Sequence, residues 1–474
     1  MAAADPASRP AEAKSLVAAL SVVVLTVAVL QTGIVPVLDV IAEQLRATTV
    51  SVSWAVTANL LAAAAATPLI GRLADTRTKK RVLLAVLGLV LAGSLLGAVA
   101  SSVPMLVLAR VLQGTSFSLY PIAVSILRDE LPADRLIRSM AMLSAMLGFG
   151  GGLGLVVTGL LMTDGASFHR VFWLGAAITV AATAAAVRFV PSRPDRLAAP
   201  IDCVGAAGLA AGLSALLLAL TQGRVWGWTS PWTTAVAAAG AALLYAWWWW
   251  SRRCPHPLIS TALLVHRPIL LTNLATLMVG MGLYFSFLGL TDFVEAMLET
   301  GHGFGASVLE ASVVFLLPGA LAAAFTALIS GRLIERFGAR AVIMAGSALG
   351  VVGFGMLIGW HSSRWEVIVA GLLTNAYISL AYGAIPTLIV QEVDESQTGV
   401  ATGMNAIVRT VGGAVAAALV AVLLTAPRGG QATESAFVGV FALGAATAAL
   451  SILLVGLTPK RIRSGREGSS PAAR

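Results

Sequence analysis

This chain has little charge. Only 11% of its 474 residues are Asp, Glu, Lys or Arg, and 58% are hydrophobic. A typical soluble domain is about 25% charged. A soluble fold of this composition could not cover its own surface, so bilayer hydrocarbon is the solvent expected for most of the chain. Cysteine is nearly absent as well. Cys203 and Cys254 are the only two, which excludes a disulfide scaffold and leaves free thiols as the expectation. The four lysines stand at 14, 79, 80 and 460, and none follows a glycine as a phosphate-binding loop requires. That excludes an ATP-driven pump. No His-Glu-x-x-His, no Gly-x-Ser-x-Gly and no clustered Asp/His pair occurs, so an integral membrane enzyme is the weaker alternative, and no metal or other cofactor is expected.

What the chain does have is long apolar runs. A span needs about 20 apolar residues to cross roughly 30 Å of hydrocarbon. Fourteen stretches meet that length: about 15–38, 50–71, 82–101, 104–127, 138–162, 171–190, 203–221, 232–250, 269–293, 307–331, 340–360, 365–390, 398–425 and 435–458. The runs are continuous rather than alternating, which excludes a barrel. Lipid offers the backbone no partner, so helices are forced. The first run is too long for the core of a cleaved leader and reads as a retained span.

Fourteen spans put both termini on one side. Twenty-four of the 31 Lys and Arg fall in the tails or in loops on that side, and five fall in the opposite loops. Positive charge gathers in the cytoplasm, so both termini are expected there. The net charge of +9 is thereby explained by topology and needs no nucleic-acid partner. Arg110 and Arg409 alone remain within spans. Trp247 to Trp250 end the eighth span beside Arg252 and Arg253, as an interfacial anchor does.

Two segments resemble each other at a separation of 260 residues. One is Gly71-Arg-Leu-Ala-Asp75-Thr-Arg-Thr-Lys79-Lys80-Arg81, and the other is Gly331-Arg-Leu-Ile-Glu335-Arg336-Phe-Gly338-Ala-Arg340. Each is expected as a loop between the second and third span of a six-span block. Pro121 and Pro386 fall in the fourth span of each block. The architecture read from this is all-α, with two related six-helix bundles and two inserted helices. The proposed boundaries are a tail over 1–13, bundles over 14–192 and 263–459, a linker with the inserted pair over 193–262, and a tail over 460–474. Repeated halves of this kind are the signature of secondary transporters, with the site between them near the midplane.

With these residues in place, the chain resembles the major facilitator superfamily, and most of all its fourteen-helix drug:proton antiporter branch, including actinobacterial exporters. Gly71, Leu73, Asp75, Lys79 and Lys80 match key positions of the family's cytoplasmic loop motif. Thr78 replaces its second glycine, which the other copy keeps as Gly338. Arg110-Val-Leu-Gln113-Gly114 is similar to the fourth-helix motif. Gly148-Phe-Gly150-Gly-Gly152-Leu-Gly154-Leu155-Val-Val-Thr158-Gly159 is similar to the fifth-helix antiporter motif, with Leu155 in place of proline and Thr158 in place of glycine. Gly403-Met-Asn405-Ala-Ile-Val-Arg409-Thr-Val-Gly412-Gly413 also looks like this branch. The branch usually carries an acid at the position aligned with Gln31. The resemblance implies an exporter of amphipathic, lipophilic or cationic small molecules. It would work as a monomer in a bacterial inner membrane, exchanging protons by alternating access. A facilitator, or a lipid or metabolite carrier, of the same fold is the alternative.

Residue roles follow as expectations. Asp75, Lys79, Lys80 and Asp129, with the second copy, would latch one end of the molecule. Arg110 and Arg409 are expensive charges inside spans and are functional candidates for that reason. Asp39 and Asp292 are candidates for proton coupling if the outer funnel partly buries them. Gln31, Gln113, Phe117, Tyr120, Tyr284, Tyr377, Tyr382 and Asn405 are candidates to line a cavity. Gly148, Gly152, Gly154, Gly159, Gly412 and Gly413 would let helices approach closely.

Overall fold

The computed structural model describes residues 10–162, 166–193, 202–255, 257, 259, 261–297, 301–307, 310–394, 397–424 and 432–458. Among them the ordered elements are helices. They are α1 (Pro10–Thr32), α2 (Leu38–Gln44), α3 (Thr49–Thr76), α4 (Lys79–Ala98), α5 (Val103–Gly114), α6 (Leu119–Glu130), α7 (Ala133–Leu161), α8 (His169–Phe189) and α9 (Cys203–Trp226). There follow α10 (Pro231–Ser251), α11 (Thr261–Val265), α12 (Arg267–Glu295), α13 (Leu317–Phe337), α14 (Ala339–Gly359), α15 (Arg364–Val390), α16 (Thr398–Leu423) and α17 (Glu434–Gly456). Twelve of the described helices are long and apolar enough to cross a membrane.

Two of the fourteen expected spans fall outside those twelve, for different reasons. Residues 103–130 divide into α5 and α6 around a 3-10 turn at Thr115–Ser118, so neither half is long enough alone. α10 has span length, but Trp232 and Trp247 to Trp250 lower its hydropathy. Its end is organised as an interface. The Arg253 guanidinium lies 3.6 Å from the Trp249 ring centroid, and the Trp250 indole donates to Asp202 at 3.1 Å. Both cysteines are free thiols.

The first span is also shorter than expected. α1 stops at Thr32, a 3-10 turn follows at Val35–Val37 around Pro36, and the chain continues in α2.

The repeated segments are not loops. Gly71 to Thr76 form the end of α3, and Gly331 to Phe337 form the end of α13. Only Arg77 and Thr78 separate α3 from α4, and only Gly338 separates α13 from α14. This explains the replaced glycine. Gly338 turns the chain alone at φ +84°, where a Cβ is disfavoured, whereas Thr78 shares the turn with Arg77 at φ −58°.

Large apolar clusters hold the helices together. One centres on Leu20, Leu83, Val90, Leu119 and Leu127 of α1, α4 and α6. Another centres on Phe285, Phe293, Phe315, Phe354, Tyr377 and Phe441, chiefly from α12, α14, α15 and α17. Two seams join these groups. α3 runs along α16, where Gly71 faces the Gly399 carbonyl and Thr67 faces Gly403. α7 runs along α13, where Arg138 faces Gly331 and Gly152 faces Ala320. α9 covers the first seam: Leu209, Leu213 and Leu217 pack with Ala64, Val400 and Ile407.

Candidate functional site

A cavity of about 190 Å³ lies where the two seams end. Gln31 and Thr32 of α1, Phe117, and Gly148, Gly151 and Gly152 of α7 form one wall. Tyr284, Ser286, Asn375, Tyr382, Arg409 and Thr410 form part of the other. Arg409 is eleven residues into α16, about 17 Å along the helix and so near its middle. Its guanidinium lies 5.1 Å from the Tyr382 ring centroid and 5.6 Å from that of Tyr120. Ring faces attract a cation in this way. Drug-sized sites usually start at roughly 300 Å³, so this state holds only a ring or two unless the helices part.

The end of the molecule carrying the repeated segments is clasped shut. At the α3–α16 seam, the Asp75 carboxylate accepts the backbone N–H of Gly399 at 3.2 Å and of Val400 at 3.1 Å. These are free amides of the first turn of α16, whose own N-cap residue Gln397 makes no side-chain bond. Asp75 therefore caps a helix far away in sequence, and its negative charge meets the positive end of that helix. Ser125 also donates to it at 3.4 Å. Beside it, Arg128 donates to the carbonyls of Val393 at 2.8 Å and Asp394 at 3.2 Å, and to the Thr398 hydroxyl. At the α7–α13 seam, Arg138 pairs with Glu335 at 2.5 Å. The two clasps stand at equivalent ends of the repeat. Lys79 braces the first by pairing with Asp129 at 2.6 Å and donating to the Ser125 carbonyl at 3.1 Å.

The other motif residues serve local structure. Lys80 donates to the Val187 carbonyl at the end of α8 at 2.8 Å. Arg340 donates to the Gly456 and Thr458 carbonyls at the end of α17. Arg336 lies near the Phe337 ring rather than across a seam. Gly71 and Gly331 supply close approach: a Cβ would stand 3.1 Å from the Gly399 oxygen at one and 2.9 Å from Arg138 at the other.

Arg110 is 2% exposed and stands apart from the cavity. It donates to the carbonyls of Leu30 at 3.1 Å and Ala55 at 3.4 Å, and to Gln113 Oε1 at 2.7 Å. Gln113 donates in turn to Ser94 at 2.9 Å. The network ties α1, α3, α4 and α5 together. Two carbonyls and Gln113 satisfy this arginine.

Several expected cavity residues lie elsewhere. Gln113 is occupied as described. Tyr120 is buried and shares a hydrogen bond with Ser144 at 2.7 Å, meeting Arg409 only through its ring. Tyr377 is fully buried between Gly282 and Gly350. Asn405 donates to Asn273 at 2.9 Å and Thr276 at 2.7 Å, joining α16 to α12. Each sits on the face of its helix turned to a neighbour, which sequence spacing did not separate from the cavity face. Asp292 is exposed at the end of α12, so the burial expected to adjust it for coupling is absent. The Asp39 side chain lies outside the described ones. Among the glycines, Gly152, Gly154, Gly412 and Gly413 do sit where a Cβ would collide with Ala320, Thr32, Leu277 and Tyr284 respectively. Gly148 and Gly159 have nothing within 4 Å of that position. Asn375, Ser286, Arg128 and Arg138 were not singled out by sequence. For Arg138 a signal existed, because an acid repeated as Glu335 needs a base on the facing helix.

A bundle of span-length apolar helices with a central cavity, clasped at one end by a repeated pair of contacts, has the architecture that a solute transporter requires. The Major Facilitator Superfamily model matches residues 20–417 and 272–474, and the chain belongs to that family. It is a multi-pass membrane transporter of small molecules, not an enzyme. It is 28% identical over 416 residues to the tetracenomycin C resistance and export protein of Streptomyces glaucescens, covering 86% of this chain and 75% of that protein. It is 27% identical to the probable actinorhodin transporter of Streptomyces coelicolor, covering 81% of this chain and 68% of that one. It is 25% identical to a multidrug resistance protein B homolog of Mycobacterium tuberculosis, covering 79% and 69%. The crystal structure of the human organic anion transporter MFSD10 shares the fold, with a TM-score of 0.66 and 18% identity over 95% of this chain and 100% of that one.

Proposed function

We propose that this chain exports small amphipathic compounds of the multidrug type by alternating access, driven by proton antiport. It works as a monomer in a bacterial inner membrane with both termini in the cytoplasm. The reading has fourteen crossings, counting 103–130 and α10. The two six-helix bundles, 14–192 and 263–459, rock about the cavity, and the linker region 193–262 carries the inserted pair. The similar tetracenomycin C resistance and export protein of Streptomyces glaucescens supports the direction of transport.

The observation that carries the proposal is Asp75 capping α16 across the seam. This contact exists only while the clasped end is closed. Opening it returns both the carboxylate and the amides to water. Protonating Asp75 weakens the same contact, because a neutral acid is a poorer acceptor. At 5% exposure Asp75 is the buried acid among the described residues, which makes it the group that would link a proton to the gate. Asp292, exposed, is the weaker candidate.

A second reading is a facilitator without a proton step. It is favoured by the cavity, which no described Asp or Glu lines, and by the neutral Gln31 within it. The two readings separate in proteoliposomes, with planar aromatic dyes of either charge and an imposed pH gradient. Accumulation that requires the gradient in wild type and disappears in Asp75→Asn supports antiport. Equilibration indifferent to the gradient leaves the facilitator. Absence of any protein-dependent flux overturns transport of this substrate type.

A further inference from the structure

Among the described residues that line the central cavity, Arg409 is the single charged one, and its charge is positive. Arg409 donates no hydrogen bond and forms no ion pair among the described residues, and its neighbours are the rings of Tyr120 and Tyr382. Arg110 shows the contrast. Equally within the membrane, it spends its donors on two carbonyls and a glutamine. A guanidinium has five donors in a fixed planar fork, shaped for two oxygens of one anionic group. In Arg409 that fork is held against ring faces beside an open space and is left unfilled.

The remaining polar groups suit the same ligand. The Gln31 Nε2 and the Tyr382 hydroxyl are both buried without a hydrogen-bond partner among the described residues, and Tyr382 as a whole is 6% exposed. Both can donate, and both belong to side chains that line the cavity. A cation would find no carboxylate there. The same cavity is also lined by Phe117, Tyr284, Phe287 and Leu155, which offer apolar surface, three of them as flat rings.

The geometry points to a planar aromatic anion as the ligand of this cavity, its carboxylate or phenolate on Arg409 and its ring body against Phe117, Tyr284 and Phe287. The inference deepens the transporter reading and rests on it. It departs from the lipophilic or cationic cargo that the sequence resemblance implies. An anion also neutralises the charge that Arg409 places in the cavity, and an unneutralised charge is expensive inside a membrane. Gln31 and Asn375 would contribute through their amides, and they set the class less firmly than Arg409 because a neutral amide accepts as readily as it donates.

The test uses three matched probes: 2-naphthylacetate, 2-naphthylethanol and 2-naphthylethylammonium. Binding to the purified full chain is measured by calorimetry, and movement of each probe is measured in proteoliposomes. Wild type is expected to bind the acetate at least about tenfold more tightly than the ammonium, the scale of a charge-assisted hydrogen bond. Arg409→Gln abolishes that preference, Arg409→Lys keeps part of it, and Gln31→Glu reverses it by placing a counter-charge in the cavity. Thermal melting of each variant shows that it remains folded, and Arg409→Lys keeps the charge if Arg409→Gln does not fold. Ammonium bound as tightly as acetate overturns the inference, as does failure to bind acetate or a preference unchanged in every folded variant. Acetate that is bound but never carried across the membrane overturns the transporter reading and leaves the binding class standing. Transport of all three probes without preference does the reverse.

Discussion

Asp75→Asn should open the clasped end without unfolding the protein. The carboxylate holds two backbone amides at 3.2 and 3.1 Å and faces the first turn of α16. A hydrogen bond to a charged group contributes about 1.5–3 kcal/mol. These two are long, and the asparagine oxygen would keep one of them in weaker form. Charge at a partly buried helix N-terminus adds up to about 2 kcal/mol, and the amide loses it. A net loss of about 2 kcal/mol is expected, which shifts the closed-to-open ratio about 30-fold. The reporter is Thr67→Cys, 1% exposed on the α3–α16 seam opposite Gly403, in a background with Cys203 and Cys254 changed to serine. Alkylation by a membrane-impermeant maleimide, applied from the clasped side in inside-out vesicles, should accelerate by that ratio. Glu335→Gln removes the more exposed clasp and should act less, by about 1 kcal/mol or below. If Asp75→Asn leaves the rate within about twofold of wild type, under 0.5 kcal/mol on the same scale, capping in trans does not hold this seam and the reasoning fails.

Three further outcomes test the rest of the argument. Arg110→Met leaves the Leu30 and Ala55 carbonyls and Gln113 Oε1 without their donor, and should destabilise the protein by about 3 kcal/mol. Melting in detergent reads this, and a melting point equal to wild type would remove Arg110 from the structural network. Gly338→Ala puts a Cβ at φ +84° and should cost about 1–2 kcal/mol, whereas Thr78→Gly, at a permitted φ, should cost less than about 1 kcal/mol. Equal losses in melting temperature would contradict the account of the two turns. Gly152→Leu wedges α7 away from α13 at Ala320 and should lower flux at least about tenfold, while Gly148→Ala, with nothing within 4 Å, should stay within about threefold. Similar flux in the two variants would show that this seam need not close.

Much of the fold was legible because a bilayer makes simple demands. Hydrocarbon requires runs of apolar residues and internally bonded backbone, so low charge and run length alone dictated a helical membrane protein. The repeat dictated equivalent ends for Asp75 and Glu335. Lys79 and Asp129 were grouped from the sequence, and only the structure chose the partner: Lys79 pairs with Asp129, while the neighbouring Glu130 takes Arg193.

Which residues face the cavity was legible only in part: Gln31, Phe117, Tyr284 and Tyr382 line it, whereas Gln113, Tyr120, Tyr377 and Asn405 do not, and the reason is geometric. Nearly every face of these helices is apolar, so there is no polar stripe to tell lipid, neighbour and cavity apart. Tyr377 and Tyr382 stand five residues apart on α15, yet one is packed between glycines of α12 and α14 and the other meets Arg409. The two arginines within spans looked alike in sequence. Only tertiary structure separated Arg110, whose donors are used, from Arg409, whose donors are not, because carbonyls of α1 and α3 reach the first and only ring faces reach the second. Composition determined the solvent, the helices and the repeat, since these depend on residue type along the chain. The packing of helices distant in sequence decided the clasp at α16 and the unpaired charge in the cavity, since both depend on which groups meet across a seam.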